Sequence, residues 1–195
     1  MLYDKDIREP LFDFLEDTFG KTRVFEEKRM GKSRADVVLV MEDGVCGVEI
    51  KSDADTYARL ARQVKDYNRF YDKNFVAVGT RHAAHIEEHV PAWWGIITVE
   101  ETPQGPDFYL LRKATDNPKM KLKHKLSLLW RPELAHLQEI NNMPKYKAKS
   151  KAFVIEKIME KVDPEILRGQ ICDELFERDY TLIEATIDEF KRQNR

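Results

Sequence analysis

The apolar segment VCGVEIKSD contains two charged side chains that could do chemistry, Glu49 and Lys51. Side chains alternate between the two faces of a β-strand, so Glu49 and Lys51 are predicted to point the same way, with Ile50 on the opposite face. A further acid, Asp36, lies 13 residues earlier at the start of another apolar run. A tight turn between the two runs would form a hairpin and bring Asp36 beside Glu49.

Two carboxylates and an ammonium in this arrangement suit phosphodiester hydrolysis. Mg²⁺ or Mn²⁺ prefers oxygen ligands, and one or two carboxylates hold it. We expect Asp36 and Glu49 to be the metal ligands. The cation would activate a water molecule, and Lys51 would orient that water or stabilise the charge of the transition state. The alternative stays open at this point, because an acid and a base two residues apart also occur as an exposed ladder of charges on a strand.

The elements around these residues predict an α/β domain. Apolar residues at helical spacing predict helices at 4–19 and 55–73, the second capped by Asp55 or Thr56. A short helix is expected at 82–89. Runs rich in β-branched residues predict strands, which lie at 22–27, 34–40, 45–53, 74–80, 95–100 and 108–113.

The chain changes character after residue 113, where helical spacing replaces strand patterns. We predict helices at 121–140, 148–162, 164–178 and 181–193. The expected organisation is a core at 1–120 and a helical C-terminal extension at 121–195 that packs on the core. The acid-rich helices within 152–195 are a candidate homodimer contact.

Composition indicates a globular chain of the cytoplasm. The chain has 195 residues and a net charge of −2, and its first residues lack the apolar run of an export signal. No segment approaches the length of roughly 18 apolar residues that a membrane span needs. Cys46 and Cys172 match no metal-ligand spacing and are expected to be reduced thiols.

Positive charge is concentrated in the middle of the chain. Residues 112–151 contain 11 Lys and Arg against 3 Asp and Glu. The alternating Lys121, Lys123 and Lys125 fit an extended arm that contacts a phosphate backbone. A solvated basic surface explains the same pattern equally well.

The motif residues resemble those of the PD-(D/E)XK nuclease superfamily, whose fold is a mixed central sheet flanked by helices. Asp36 matches the motif aspartate, Glu49 the second acid and Lys51 the lysine, while Ala35 stands where a proline is common. QVKDY at 63–67 resembles the Q-x-x-x-Y motif of one branch. The resemblance implies that Gln63 places the scissile strand or a water molecule, and that Tyr67 contacts nucleic acid.

The same resemblance implies one more acid, from the first helix or from the strand after it. Glu9, Glu26 and Glu27 are the candidates, and Arg34 is a candidate phosphate contact. Several segments spread over most of the chain also resemble a family of uncharacterised bacterial and phage proteins known by a locus-tag name.

These features together predict a restriction-endonuclease-like nuclease that uses Mg²⁺ or Mn²⁺ to cut DNA, in defence, mobile-element or repair processes. RNA shares the same phosphate chemistry and stays open as a substrate. Two alternatives belong to other functional classes: a nucleic-acid-binding module without turnover, and an interaction protein that acts through its acidic helices. No membrane partner is expected.

Overall fold

A computed structural model describes residues 2–178, apart from the side chain of Glu27. Its centre is a six-stranded mixed sheet in which the strands lie in chain order. The pairing is antiparallel between the first three strands, parallel from the third to the fifth, and antiparallel at the last hairpin. The strands are β1 (Arg23–Met30), β2 (Ser33–Met41), β3 (Gly44–Lys51), β4 (Lys73–Gly79), β5 (Gly95–Thr102) and β6 (Gly105–Arg112).

Helices cover both faces of the sheet, which confirms the predicted α/β class. Within residues 2–178 the helices are α1 (Asp4–Phe19), α2 (Leu60–Phe70), α3 (Thr80–Ala83), α4 (Leu122–Leu126), α5 (Arg131–Ile140), α6 (Lys151–Lys161) and α7 (Pro164–Phe176).

Each face of the sheet has its own hydrophobic core. On one face, Ile7, Leu11 and Leu15 of α1 lie fully buried against the sheet. On the other face, α2 and the helices α4 to α7 share one cluster with the strands. Strand β3 contributes Val48 and Ile50 to the α1 face, so alternation turns its charged residues toward α2.

The C-terminal helices contribute directly to the second core. Leu126, Leu137, Ile158 and Ile171 belong to the same buried cluster as residues of β2, β4 and α2. The predicted division at residue 120 into a core and an extension stays a prediction, and the predicted helix at 181–193 lies outside the described residues.

Several predicted helix boundaries were wrong. A 3₁₀ turn at Tyr57–Arg59 precedes α2, and the side chain of Thr56 makes no capping hydrogen bond. Asp55 does not cap the helix either, because its carboxylate accepts hydrogen bonds from the backbone and hydroxyl of Ser52. The long helix expected at 121–140 is two helices, because a new helix starts after the N-cap residue Trp130, with Pro132 in its first turn.

Two further observations concern the cysteines and the possibility of a membrane-spanning helix. Cys46 and Cys172 are buried and unbridged. Among the helices of residues 2–178, none combines the length and the apolar character needed to cross a bilayer.

Candidate active site

Glu49 and Lys51 meet at the end of β3, on the face that α2 covers. The Lys51 ammonium donates a hydrogen bond of 2.5 Å to Oε1 of Glu49. The Glu49 side chain is 0% exposed and the Lys51 side chain 5% exposed. The pair is therefore buried, and the alternative of an exposed ladder of charges does not describe it.

Helix α2 supplies two more polar side chains to this pair. The carboxamide of Gln63 donates to the same Oε1 of Glu49 that Lys51 contacts. The hydroxyl of Tyr67 donates to the carbonyl of Val48 at 3.0 Å. A Cβ atom on Gly47 would overlap the ring of Tyr67, so glycine at this strand position permits the close approach of the helix.

Asp36 lies at the end of the β2–β3 ladder, beside Glu49. Its Oδ2 accepts a hydrogen bond of 2.9 Å from the backbone of Ile50, and its own backbone N–H donates to the Tyr67 hydroxyl at 3.2 Å. The Asp36 side chain is 21% exposed. Solvent therefore reaches the site at Asp36, next to the buried Glu49–Lys51 pair.

Arg8 of α1 also contacts Asp36, which sequence reasoning missed. Its guanidinium donates to the Asp36 carbonyl at 3.0 Å and lies 3.9 Å from the carboxylate. It also lies 3.7 Å from Glu26 and forms a pair with Asp4 at 2.7 Å. The spacing of Asp4 and Arg8 is a visible helical pair signal, but nothing in the sequence showed that this pair reaches Asp36.

The three candidates for an additional acid therefore differ. Glu26 lies next to Arg8 at the edge of the site. Glu9 is exposed and follows Arg8 directly in the helix, where neighbouring side chains diverge by about 100°. No contact joins Glu9 to Asp36 or Glu49 among the described residues, and its role as a site acid stays a prediction. The side chain of Glu27 is outside the described structure.

Burial and crowding of like charges raise the pKa values of both acids. The pKa of Glu49 rises to about 7, first because the carboxyl is buried and second because Asp36 carries like charge nearby. Burial also raises the pKa of Asp36, although the hydrogen bond from Ile50 counteracts that shift. Two acids with raised pKa values side by side form a site that a cation would stabilise.

The oxygen atoms of this centre fit a hard divalent cation. Oε2 of Glu49 and Oε1 of Gln63 are buried, and within the described residues neither has a hydrogen-bond partner. Residues 2–178 hold no cluster of three or more His, Cys, Asp or Glu side chains suited to a metal. Asp36 and Glu49 are the two carboxylates that could hold such a cation, because Mg²⁺ is often bound by one or two carboxylates and keeps several of its water ligands.

A basic cleft opens beside Asp36 and Gln63. It measures about 490 Å³ between the β1–β2 hairpin and α2. Arg34 lines it, as the sequence reasoning expected for a phosphate contact. The other cations of the cleft were missed, because no motif links them along the chain: they are Arg29, Lys32, Arg59 and Arg62.

Two of the other predicted nucleic-acid contacts are buried. Tyr67 is 0% exposed, so its predicted contact with nucleic acid is wrong and its role is to hold Asp36 and β3. Lys125 is 1% exposed and pairs with Asp72 at 2.7 Å, which corrects its assignment as well. Lys121 and Lys123 are exposed, but they lie at the start of the short helix α4 and not on an extended arm.

Sequence comparison decides the family. The profile of bacteriophage P4 protein cII matches residues 2–193. The chain belongs to the bacteriophage P4 protein cII family. The match confirms the expected likeness to a phage protein. Comparison with curated proteins finds no match to this cII-family chain.

Comparison with solved structures gives a weak likeness. The cII-family chain is similar to SfsA of Pyrococcus furiosus in complex with Ca²⁺, with 15% sequence identity and a TM-score of 0.35. The likeness covers 60% of this chain and 63% of that chain, so this chain spans less than two thirds of the length of SfsA.

Proposed function

We propose that this cII-family protein is a metal-dependent nuclease of the PD-(D/E)XK type, which hydrolyses phosphodiester bonds of DNA. The observation that carries the proposal is the buried contact of Glu49 with Lys51 and Gln63, beside Asp36. A buried acid normally has its oxygens satisfied. Here one carboxylate oxygen has no partner among the described residues, and the neighbouring Asp36 and Gln63 line a basic cleft.

Each side chain has a definable role in such a reaction. Asp36 and Glu49 would hold Mg²⁺ or Mn²⁺, and the bound cation would supply an activated water and neutralise phosphate charge. The Lys51 ammonium, fixed by Glu49, presents positive charge where negative charge develops on the phosphate. Gln63 would help to hold Glu49, since its carboxamide donates to the same Oε1 as Lys51, and its own buried oxygen has no partner among the described residues.

Arg8 and Tyr67 act at one remove from the reacting atoms. Both contact the backbone of Asp36. They fix the direction of its carboxylate, and small displacements of catalytic groups cost large factors in rate. They are positioning residues for the metal ligand.

The test is cleavage of plasmid and linear DNA by wild type and by Lys51→Ala, in EDTA, Mg²⁺ and Mn²⁺. We expect wild type to cut only with metal, and Lys51→Ala to lose at least about 100-fold in rate, the scale of one lost transition-state contact. Circular dichroism checks that the variant is folded. Lys145→Ala, which removes an exposed lysine paired with Glu139, serves as the control and should cut normally.

Two outcomes would contradict the proposal. Full activity of Lys51→Ala would show that the assignment of Lys51 and its neighbours as the active site is wrong. Absence of cleavage of DNA and of RNA in either metal, with salt-dependent binding retained, would favour a nucleic-acid-binding module on the same fold.

A further inference from the structure

The basic cleft beside the candidate centre contrasts with the overall charge of the chain. The whole chain carries a net charge of −2. The cleft nevertheless places five cationic side chains around one acid, Asp36. All five are exposed, and they come from two elements that face each other across the cleft: Arg29, Lys32 and Arg34 from the β1–β2 hairpin, and Arg59 and Arg62 from the start of α2.

Most of these cations are left without an acidic partner. Among the described residues, the side chains of Arg29, Lys32, Arg59 and Arg62 form no hydrogen bond or ion pair. Four cations outside the cleft, by comparison, do have an acidic partner: Arg8 contacts Asp4, Lys73 contacts Asp43, Lys123 contacts Glu156, and Arg178 contacts Glu133. A cleft lined by charges of one sign attracts ions of the opposite sign, so this opening is a favourable place for an anion.

The lining of the cleft suits phosphate and not base edges. None of the described residues that line it is aromatic, so it offers no stacking surface for a base. Arginine forks match phosphate oxygens in bidentate geometry. Gln63, an amide that could read a base edge, donates its hydrogen bond to Glu49.

We propose that this cleft binds consecutive backbone phosphates of the nucleic-acid strand next to the scissile bond, without reading its sequence. The inference rests on the proposed function for the location of the scissile bond. Arg29 and Lys32 contact the strand from the hairpin, and Arg59 and Arg62 contact it from α2. Phosphate contacts fix the register of a strand, whereas base contacts carry the sequence information.

The two walls of the cleft are held together by Asp66 of α2. Its carboxylate accepts a hydrogen bond from the backbone N–H of Lys32 at 3.3 Å. Gly31 has a positive φ of 59°, and a Cβ atom there would lie 2.9 Å from Asp66. The turn of the hairpin is thus seated on α2, and the cations on both sides keep a fixed separation.

The experiment is equilibrium binding of fluorescent oligonucleotides in EDTA, where cleavage is off, across a salt titration. Wild type is compared with Arg59→Ala, Arg62→Ala and Arg29→Ala on two unrelated sequences, single-stranded and duplex. Each cleft variant should reduce the slope of log K against log salt by about 0.7 on single strands or about 0.9 on duplex. Affinity near 0.1 M salt should fall about five- to tenfold, equally on both sequences.

Lys145→Ala is the matched control, because Lys145 is an exposed cation of the basic segment that lies outside the cleft. It should leave the slope unchanged. An unchanged slope in the cleft variants, or a loss that depends on the base sequence, would overturn the proposal. Arg62→Gln repeats the test with a polar side chain if Arg62→Ala does not fold.

The outcomes separate the cleft from the proposed catalysis. If wild type binds with a steep salt slope but never cleaves, the phosphate-binding role of the cleft would stand and the proposed nuclease activity would be wrong. If wild type cleaves but the cleft variants keep the full salt slope, the nuclease activity would stand and the phosphate-binding role of the cleft would be wrong.

Discussion

Two buried lysine–carboxylate pairs lie at opposite ends of β3 and differ in one respect. At one end, Lys51 contacts Glu49 at 2.5 Å. At the other end, Lys125 contacts Asp72 at 2.7 Å, and Asp72 accepts a 2.8 Å hydrogen bond from the backbone of Val45, where β3 begins. Both lysine side chains are nearly inaccessible to solvent.

Both carboxylate oxygens of Asp72 have a partner, whereas only one oxygen of Glu49 does within the part of the chain that the structure describes. One oxygen of Asp72 receives both Lys125 and Val45, and the other lies 3.5 Å from Arg168. Both donors to Glu49 contact Oε1, while Oε2 has no partner among the described residues. Leaving a buried oxygen unsatisfied lowers stability. The comparison indicates that the Lys125–Asp72 pair joins α4 and α7 to the sheet, whereas the Lys51–Glu49 pair leaves one oxygen open to a ligand.

The sharpest way to break the comparison is a matched pair of substitutions, Lys125→Met and Lys51→Met, which keep side-chain volume and remove charge. Lys125→Met should lower the free energy of unfolding by about 3 to 5 kcal/mol, the cost of breaking a buried pair. Lys51→Met should lower it by less than about 1.5 kcal/mol at pH 6, because Glu49, with its pKa already raised to about 7, takes up a proton and becomes neutral.

Chemical denaturation at pH 6 without metal measures both values. The activity of each folded variant provides the second half of the comparison, since Lys125→Met should still cleave DNA and Lys51→Met should not. Equal losses of stability in the two variants would show that the pairs serve the same structural purpose.

The second prediction concerns pH, and it follows from the raised pKa of Glu49. The folded pKa of about 7 exceeds the ordinary value of 4.5, so the folded state binds the proton more tightly than the unfolded state. The stabilising contribution of protonated Glu49 is complete below pH 4.5 and is lost as pH rises toward 7. The loss amounts to about 3 kcal/mol at 1.36 kcal/mol per pKa unit.

Glu49→Gln mimics the protonated acid and should not show this loss. In EDTA, the free energy of unfolding of wild type relative to Glu49→Gln should therefore fall between pH 4.5 and 7. Mg²⁺ should restore wild type near pH 7, because it binds the ionised carboxylate, and it should leave Glu49→Gln unchanged. A wild type that tracks Glu49→Gln across the whole range in EDTA would refute the raised pKa.

Much of the sheet was predictable because its signals are local. Runs rich in β-branched residues defined the strands around Asp36 and Glu49, and the spacing of Glu49 and Lys51 placed both on one face. The helix carrying Gln63 followed from its amphipathic pattern. The fold class and the residues at the centre of the candidate site could therefore be predicted, since the strands and the helix that define them are each encoded by a local pattern.

The rest depends on contacts between distant segments. Arg8 reaches Asp36 across 28 residues, and Lys125 reaches Asp72 from a different layer of the fold. A run of alternating lysines looked like a surface arm, but a short helix turned Lys125 into the core. Charge patterns in a sequence do not show which cations find a buried partner.

The smallest expected effect comes from Asp66, which joins the β1–β2 hairpin to α2 beside the candidate site, as Asp72 joins α4 to the start of β3 at the other end. Asp66→Ala removes the hydrogen bond to the Lys32 backbone and should lower the free energy of unfolding by about 1 kcal/mol. Oligonucleotide affinity in EDTA should weaken severalfold, because the two walls of the cleft lose their alignment, while the five cations and hence the salt slope stay. Asp66→Asn, which keeps an acceptor oxygen, should restore affinity. If Asp66→Ala instead lowers the salt slope, the carboxylate affects the charge of the cleft and does not merely hold its walls.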